Sequence, residues 1–244
     1  MLEVREVSKS FGGVVANRAV SLAVPDGAIV GRIGPNGSGK TTLFNCIVGY
    51  HPMDAGSVRF DGREISRLRV PEIARLGMIR TFQQTRVYRR ISCLRNMLIS
   101  APNRQQRWRS LFSSFPPELT EQAEHLLEFV GIYDKRRQYA GDLSFGQQKL
   151  LELAMALMIR PKMLLLDEPT AGINPTLING LVERLRRANA ELGITLLVIE
   201  HNMHVIMGLA GHIFCLAHGE LLADGSPQAI RNDPRVVEAY LGAH

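Results

Sequence analysis

Short stretches in which hydrophobic and polar residues alternate dominate the first third of the chain, and this pattern predicts β-strands. An Asp61-Gly62 pair separates two of the stretches and favours a tight hairpin turn. Another stretch is mainly apolar and leads directly into a glycine-rich segment at Gly34. The predicted strands are Leu2 to Val7, Ala19 to Val24, Ala28 to Ile33, Ser57 to Phe60 and Arg63 to Ile65.

From about residue 85 to residue 160 the spacing of hydrophobic residues changes to that of helices. Thr120 is a candidate N-cap for a helix that Gly131 ends. Ser144 is a second candidate N-cap, and the helix behind it is apolar on nearly every side, so we expect it to be buried. The segment from Ser100 to Pro117 has the weakest pattern and is predicted to be a surface loop.

Strands and helices alternate in the last third of the chain. Asn174-Pro175 marks the start of a helix that ends at Gly193, between two short apolar strands. This order predicts parallel strands joined by crossover helices, in an α/β fold. The other predicted elements are strands Met163 to Leu166 and Thr195 to Ile199, a hairpin of Ile213 to Leu216 with Leu221 to Ala223, and helices starting at Ser226 and Asp233.

Composition narrows the class of protein. No apolar stretch approaches the roughly 18 to 20 residues that a membrane-spanning helix needs. The segment from Met1 to Val7 mixes both charges and lacks the apolar core of a signal peptide, so a cytosolic location is expected. The three cysteines are far apart and form no CxxC pair, which predicts buried thiols and not a disulfide framework or a zinc site.

The net charge of +6 is concentrated in one segment. Between Glu72 and Glu118 there is no acidic residue but nine arginines, and the rest of the chain has 20 basic against 23 acidic residues. Such a patch suits nucleic acid, an anionic membrane or an acidic protein surface, and charge alone does not choose among them. The arginines are Arg75, Arg80, Arg86, Arg89, Arg90, Arg95, Arg104, Arg107 and Arg109.

The glycine-rich segment from Gly34 to Thr42 matches the phosphate-binding pattern GxxxxGK[ST], between a predicted strand and a predicted helix. In such a loop backbone N–H groups surround the phosphates, Lys40 reaches the β- and γ-phosphates, and the Thr41 hydroxyl binds Mg²⁺. The segment therefore predicts nucleotide binding. Its candidate nucleotide-binding residues are Asn36, Gly37, Ser38, Gly39, Lys40, Thr41 and Thr42.

Two carboxylates follow the apolar run that starts at Met163. Asp167 is predicted to hold Mg²⁺ through its water shell, and Glu168 to activate the water that attacks the γ-phosphate. Without the phosphate loop, a solvated strand end before Pro169 would be the alternative interpretation, although the less favoured one.

A third motif, Leu143-Ser-Phe-Gly-Gln-Gln148, precedes the predicted buried helix. Alone it indicates only a capped helix start, but in this order of motifs the chain resembles the ATP-binding-cassette ATPases over nearly its whole length. The matching positions are Phe11 for adenine stacking, the phosphate loop, Gln83 of the Q-loop, the signature Ser144, Phe145, Gly146 and Gln147, Asp167 with Glu168, the D-loop at Asn174, and the switch histidine His201.

The resemblance implies a P-loop NTPase core with an N-terminal antiparallel β subdomain and an inserted α-helical subdomain. Residues 1–84 and 161–244 would form the core, and 85–160 the helical part, in one cassette domain. It also implies that two cassettes, of the same or similar chains, bind ATP between the phosphate loop of one and the signature of the other. Glu168 would be the general base, His201 would contact the γ-phosphate, and Thr41 and Gln83 would bind Mg²⁺.

Two positions depart from the family pattern, and both bear on the hydrolysis rate. Phe145 stands where the signature usually has glycine, and Asn174 where the D-loop often has aspartate. The segments Arg80 to Gln83, Ile199 to Met203 and Asp233 to Gly242 further resemble ATP-binding subunits of bacterial branched-chain amino-acid importers. Importers for urea and small carboxylates share much of this pattern, so the solute stays open.

An importer subunit implies two transmembrane permease subunits, a solute-binding protein that acts indirectly, and a peripheral location on the cytoplasmic face of the inner membrane. Arg86, Arg89, Arg90 and Arg95 would then dock the membrane subunits or face anionic lipid. The alternative is a soluble cassette ATPase acting on nucleic acid or ribosomes, which the arginines favour but the single compact cassette does not. No nucleic-acid partner is therefore expected. A small-molecule kinase would leave the signature and His201 unexplained.

Overall fold

The computed structural model describes residues 1–81, 87–102 and 115–241. The chain divides into two compact units. The first comprises Met1–Arg80, Lys162–Pro169 and the residues from Arg186 onward, and the second comprises Thr81–Pro161 with Thr170–Leu185.

The described residues form strands and helices in mixed order. The strands are β1 Leu2–Phe11, β2 Val14–Val24, β3 Ile29–Ile33, β4 Ala55–Phe60, β5 Arg63–Glu64, β6 Met78–Arg80, β7 Met163–Asp167, β8 Thr195–Ile199, β9 His212–Ala217 and β10 Glu220–Gly225. The α-helices are α1 Lys40–Ile47, α2 Val70–Arg75, α3 Cys93–Ser100, α4 Pro117–Phe129, α5 Phe145–Leu157, α6 Pro175–Leu192, α7 Met203–Leu209, α8 Pro227–Asn232 and α9 Pro234–Leu241.

One sheet of the first unit is antiparallel, with strand order β2-β1-β4-β5. Leu2, Val4 and Val58 point into the core, and the residues that alternate with them along the strands, such as Glu3 and Arg59, are exposed. Asp61 and Gly62 both have positive φ, at 51° and 75°, in the turn between β4 and β5. The predicted strands and hairpin in this region are therefore confirmed.

The second sheet has strand order β10-β9-β3-β8-β7-β6, and all of its pairs except β9 with β10 are parallel. Every residue of β7 and β8 is buried, which explains why both read as continuous apolar runs. A fully buried leucine contributes about 1.5–3 kcal/mol, so these strands form the stable centre of the unit. The predicted parallel strands are confirmed.

Parallel pairing brings the carboxyl ends of the central strands to one edge of the sheet. Arg32 of β3 aligns with Ile199 of β8, and Asp167 of β7 aligns with Ile199 as well. Ligand sites of open α/β sheets lie outside this edge. The glycine-rich segment after β3 and the carboxylates of Asp167, which ends β7, and Glu168, which follows it, both lie there.

Helices α3, α4 and α5 pack against one another in the second unit. Ser144 is the N-cap of α5 as predicted, and Gly131, with φ of 76°, follows the end of α4. The prediction that Thr120 caps α4 is wrong, because the helix already begins at Pro117. Proline at the first position has a helical φ and lacks an N–H that would need a partner.

The sequence pattern also missed several short elements. Strand β6 has three residues, and helices α2 and α7 have six and seven, so none is long enough to show a clear period. Most of the segment predicted as a surface loop, from Ser100 to Pro117, lies outside the described residues.

Candidate nucleotide site

The phosphate loop is held in shape by its glycines. Gly37 and Gly39 have φ of 78° and 86°, a backbone conformation that other residues seldom adopt. A Cβ at Gly39 would collide with the carbonyl oxygen of Ala16. The loop therefore packs closely on β2, which contains Ala16, just before α1 begins at Lys40.

Lys40 is buried within the loop. Its Nζ donates hydrogen bonds to the carbonyl oxygens of Gly34, at 2.6 Å, and Pro35, at 2.8 Å. Burial, reinforced by the nearby Arg32, lowers the pKa of Lys40 to about 8. The side chain is thus mainly cationic at neutral pH and lies where the motif places the β- and γ-phosphates.

The hydroxyl of Ser38 is also buried, and it has no hydrogen-bond partner among the residues that the structure describes. Buried polar atoms are normally paired, so this atom indicates a ligand. A hydroxyl inside a glycine-rich loop suits phosphate oxygen. Thr41 and Thr42 occupy the next positions on α1, and Asn36 and Gly37 are exposed at the tip of the loop.

The first glycine of the loop is connected to the end of the chain. The backbone N–H of Gly34 donates to the hydroxyl of Tyr240 on α9, at 2.8 Å. Burial raises the pKa of this tyrosine to about 12, so the hydroxyl keeps its proton. The C-terminal helix thereby supports the start of the phosphate loop.

Asp167 ends β7 and forms a buried ion pair. Arg80 Nη2 lies 2.6 Å from Asp167 Oδ2, and the two side chains are 8% and 6% exposed. The same guanidinium donates through Nη1 to Asn45 on α1. Arg80 therefore connects the phosphate-loop helix to the carboxylate that was predicted to hold Mg²⁺.

Glu168 and His201 are in direct contact. His201 Nε2 lies 2.6 Å from Glu168 Oε1, with side chains 40% and 19% exposed. Glu168 has φ of 50°, a conformation that costs a side-chain-bearing residue of order 1–3 kcal/mol. Its N–H donates to Ile199 O at 2.9 Å, which anchors this turn of backbone to β8. The structure thus brings the predicted base and switch histidine together.

Phe11 ends β1 with its ring 44% exposed. The ring makes an edge contact with His51, at 5.3 Å between centroids, and Lys9 Nζ lies 5.2 Å from its centroid. His51 follows α1 closely, and its N–H bonds Asn45 O. An accessible aromatic ring of this kind is able to stack on a base.

The signature residues belong to the second unit. Ser144 Oγ accepts from the N–H of Gln147, and Gln147 Oε1 accepts from the N–H of Ser144, which forms a capping box. Gly146 is buried, and a Cβ there would press on Leu177. Phe145 is 43% exposed and packs its ring against Gly172.

Magnesium would find only part of its ligand set in the protein. Across residues 1–81, 87–102 and 115–241, no group of three or more His, Cys, Asp or Glu side chains is arranged to hold a metal ion. The hydroxyl of Thr41 and the carboxylate of Asp167 are oxygen donors, which Mg²⁺ prefers, and phosphates usually complete such sites. The predicted ligand Gln83 lies outside the described residues.

Three residues of this region were not singled out for the site from the sequence. From the sequence, Arg80 belongs only to the basic segment and to a subfamily segment, Tyr240 only to the C-terminal segment, and Arg32 to an apolar run. The one available signal was a charged residue inside that run, because a buried strand seldom contains arginine.

A lysine-bearing phosphate loop beside an Asp-Glu pair, at the carboxyl edge of a parallel sheet, defines the class of P-loop ATPases. Comparison with known families is more specific. Residues 17–171 match the ABC transporter family, and residues 220–244 match the family described as branched-chain amino acid ATP-binding cassette transporter. The chain belongs to the ABC transporter family and is an ATPase.

Curated relatives match over nearly the full length. The high-affinity branched-chain amino acid transport ATP-binding protein BraF of Pseudomonas aeruginosa is 40% identical, covering 99% of this chain and 98% of that protein. A probable branched-chain amino acid transport ATP-binding protein LivG of Archaeoglobus fulgidus is 38% identical over 100% of this chain and 96% of its own length.

Solved structures confirm the predicted fold class. A structure described as the ADP conformation of an ATP-binding cassette of an ABC transporter is 34% identical with a TM-score of 0.88, covering 99% of this chain and 98% of that chain. A dimeric bacterial ABC transporter cassette, 24% identical with a TM-score of 0.78, shares the fold over 93% of this chain and 99% of its own. In the described part of the chain, no helix is both long and apolar enough to cross a membrane.

Proposed function

We propose that this ATPase drives an importer for branched-chain amino acids from the cytoplasmic face of the inner membrane. The supporting observation is the full-length similarity to proteins named for that transport, together with the C-terminal match at 220–244. Tyr240 lies within that segment and bonds the first glycine of the phosphate loop. The subfamily-specific segment is therefore part of the structure that supports the nucleotide site.

The phosphate loop would bind ATP through backbone N–H groups and side chains. Lys40 supplies a buried cation, and Ser38 supplies a buried hydroxyl that lacks a partner among the described residues. Gly39 and Thr42 complete the start of α1, and Phe11 would stack on adenine. Mg²⁺, when bound, would neutralise phosphate charge. Thr41 and Asp167 would hold it, Asp167 through water, and we retain Gln83 as its further ligand.

Hydrolysis would use the contact between Glu168 and His201. Glu168 accepts the proton of the attacking water, and His201 contacts the γ-phosphate. The 2.6 Å contact with Nε2 orients the carboxylate at the carboxyl edge of the sheet. Arg80 holds Asp167 beside it, so the two neighbouring carboxylates serve different purposes.

The second unit would serve the ATP of a partner cassette. Ser144 caps α5 with its side chain, and Gly146 follows on the first turn. The hydroxyl proton of Ser144 and the backbone N–H of Gly146 would therefore serve as donors at a helix N-terminus. Phe145 and Gln147 flank them. A similar cassette, 25% identical, is dimeric in a structure bound to ADP and Pi, which supports pairing of two cassettes. The partner would be the same or a similar chain.

The remaining partners would be two transmembrane permease subunits and, indirectly, a solute-binding protein. We assign docking to residues 85–160, inserted between core segments 1–84 and 161–244. Arg89, Arg90 and Arg95 lie in this part of the chain, and Arg86 lies outside the described residues. Charge reversal of the three described arginines should reduce co-purification with the permeases while ATP binding persists, and unchanged assembly would contradict the assignment.

The catalytic assignment is tested by Glu168→Gln. This variant should bind ATP normally, lose about 10²- to 10⁴-fold in turnover, and accumulate as an ATP-bound dimer, because an amide cannot accept the water proton. Glu220→Gln, at an exposed carboxylate, is the matched control and should hydrolyse ATP like the parent chain. Full turnover in Glu168→Gln would show that another group is the base.

The solute is tested by reconstituting the cassette with its permeases and binding protein in proteoliposomes. Leucine, isoleucine and valine should each stimulate ATP hydrolysis and enter the vesicles, whereas urea and small carboxylates should not. Stimulation of ATP hydrolysis by urea alone would show that urea, and not a branched-chain amino acid, is the transported solute. Co-purification with ribosomes instead of permeases would contradict the proposed role in transport.

A further inference from the structure

Arg32 is a fully buried cation directly beneath the phosphate loop. It lies in β3 between β8 and β9, and its side chain has 0% exposure. Nη2 donates to the carbonyl oxygen of Gly39 at 3.1 Å, and the guanidinium carbon lies 5.2 Å from the centroid of Phe44. The Nε and Nη1 atoms have no hydrogen-bond partner among the described residues.

A buried guanidinium normally has a carboxylate beside it, because an uncompensated charge is costly in a protein interior. Among carboxylates, Asp167 attracts Arg32 most strongly, but its Oδ2 already accepts a hydrogen bond from Arg80. Lys40 adds a third cation that repels Arg32. Three cations thus surround the carboxylates of Asp167 and Glu168, which leaves an excess of positive charge below the loop.

This excess persists at neutral pH. Burial lowers the pKa of Arg32 to about 9 and that of Lys40 to about 8, so both groups are mainly charged at pH 7. Positive charge without its own counter-charge is suited to attract an anion, and the adjoining loop is built for phosphate.

Arg32 also fixes the peptide between Gly39 and Lys40. It shares the carbonyl oxygen of Gly39 with the side-chain amide of Asn17, which donates at 3.2 Å, and with the N–H of Leu43. In a trans peptide the N–H of the next residue points away from the carbonyl. These three donors beneath the loop therefore turn the N–H of Lys40 toward the ligand side.

We propose that Arg32 is a positioning residue for the nucleotide, whose buried charge is balanced by the polyphosphate and favours nucleotides with more phosphate charge. This inference rests on the proposed nucleotide site and adds a determinant of specificity to it. If so, Arg32 should lower the stability of the nucleotide-free protein while it raises the affinity for ATP. The charge destabilises the protein alone and strengthens binding of the triphosphate more than of the diphosphate.

The test replaces Arg32 by methionine, which has a similar length and no charge. Affinities for ATP and ADP are measured by calorimetry in EDTA, so that hydrolysis does not occur, and melting temperatures are measured without nucleotide. We expect Arg32→Met to melt at a higher temperature than the parent chain. ATP affinity should fall about tenfold and ADP affinity by less, because ADP carries one fewer charge. Arg63→Met, at an exposed arginine of β5, should change neither.

Arg32→Lys separates charge from packing. It should retain the preference for ATP over ADP even if its melting temperature falls. A lower melting temperature of Arg32→Met with equal losses for ATP and ADP would show that Arg32 is only a structural brace. Unchanged affinities would also overturn the proposal, as would a lysine variant with the same loss of preference as methionine. If Lys40→Ala binds ATP as tightly as the parent chain, the phosphate-loop assignment itself fails, and the role of Arg32 fails with it.

Discussion

The ion pair between Arg80 and Asp167 offers the sharpest prediction about stability. Both side chains are nearly buried, and their nitrogen and oxygen atoms are 2.6 Å apart. Replacing one partner of a buried pair leaves the other charge uncompensated, which costs about 3–5 kcal/mol. Because Arg32 lies close enough to attract Asp167 and partly compensates its charge, we expect Arg80→Met to lose about 3 kcal/mol of unfolding free energy, the lower end of that range.

Urea unfolding and differential scanning fluorimetry measure this loss. For a chain of this size, each kcal/mol lowers the melting temperature by about 2–4 °C, so we expect a decrease of about 6–12 °C. Arg5→Met is the matched control, because the pair of Arg5 with Glu3 has the same kind of geometry, at 2.7 Å, but is largely exposed. Its loss should be less than about 1 kcal/mol.

A double-mutant cycle tests whether the loss arises from the pair itself. Asp167→Asn combined with Arg80→Met removes both charges, so the double variant should be more stable than the sum of the single changes predicts, by at least about 1 kcal/mol. Additive losses would refute the reasoning, and so would an Arg80→Met variant as stable as Arg5→Met.

Two further predictions concern the C-terminal tyrosine and the cysteines. Tyr240→Phe removes the acceptor for the buried N–H of Gly34, so it should lower the unfolding free energy by about 1–3 kcal/mol and weaken ATP binding, measured by chemical unfolding and calorimetry. Tyr50→Phe, at an exposed tyrosine, should do neither, and equal behaviour of the two variants would contradict this role of Tyr240. Cys46, Cys93 and Cys215 are buried, and burial raises the pKa of each thiol to about 11. About one thiol in a thousand is therefore ionised at pH 8, so a disulfide reagent should modify none in the native protein and all three in urea. Rapid modification of any native cysteine would show that its site opens.

The motifs that sequence reasoning identified are local, because each depends on residues within a few positions of one another. The glycines before Lys40 and the carboxylates at the end of β7 are of this kind, and the capping box at Ser144 spans four residues. The alternating pattern of β1 and the continuous apolar runs of β7 and β8 likewise report burial directly. These features were therefore predictable.

The contacts that hold the site together join distant positions. Arg80 and Asp167 are 87 residues apart, and Gly34 and Tyr240 are 206 apart. No spacing rule connects such residues, because their proximity depends on the order of strands in the sheet. The N-cap at Thr120 was wrong for a different reason, since two prolines start α4 one turn earlier.

The hydrogen bond between Gly34 and Tyr240 sets an order of events during synthesis. The ribosome adds Tyr240 only after 205 further residues have followed Gly34. The phosphate loop is therefore synthesised before the acceptor that its first glycine has in the folded protein. A nascent chain that does not yet contain α9 lacks this support for the phosphate loop.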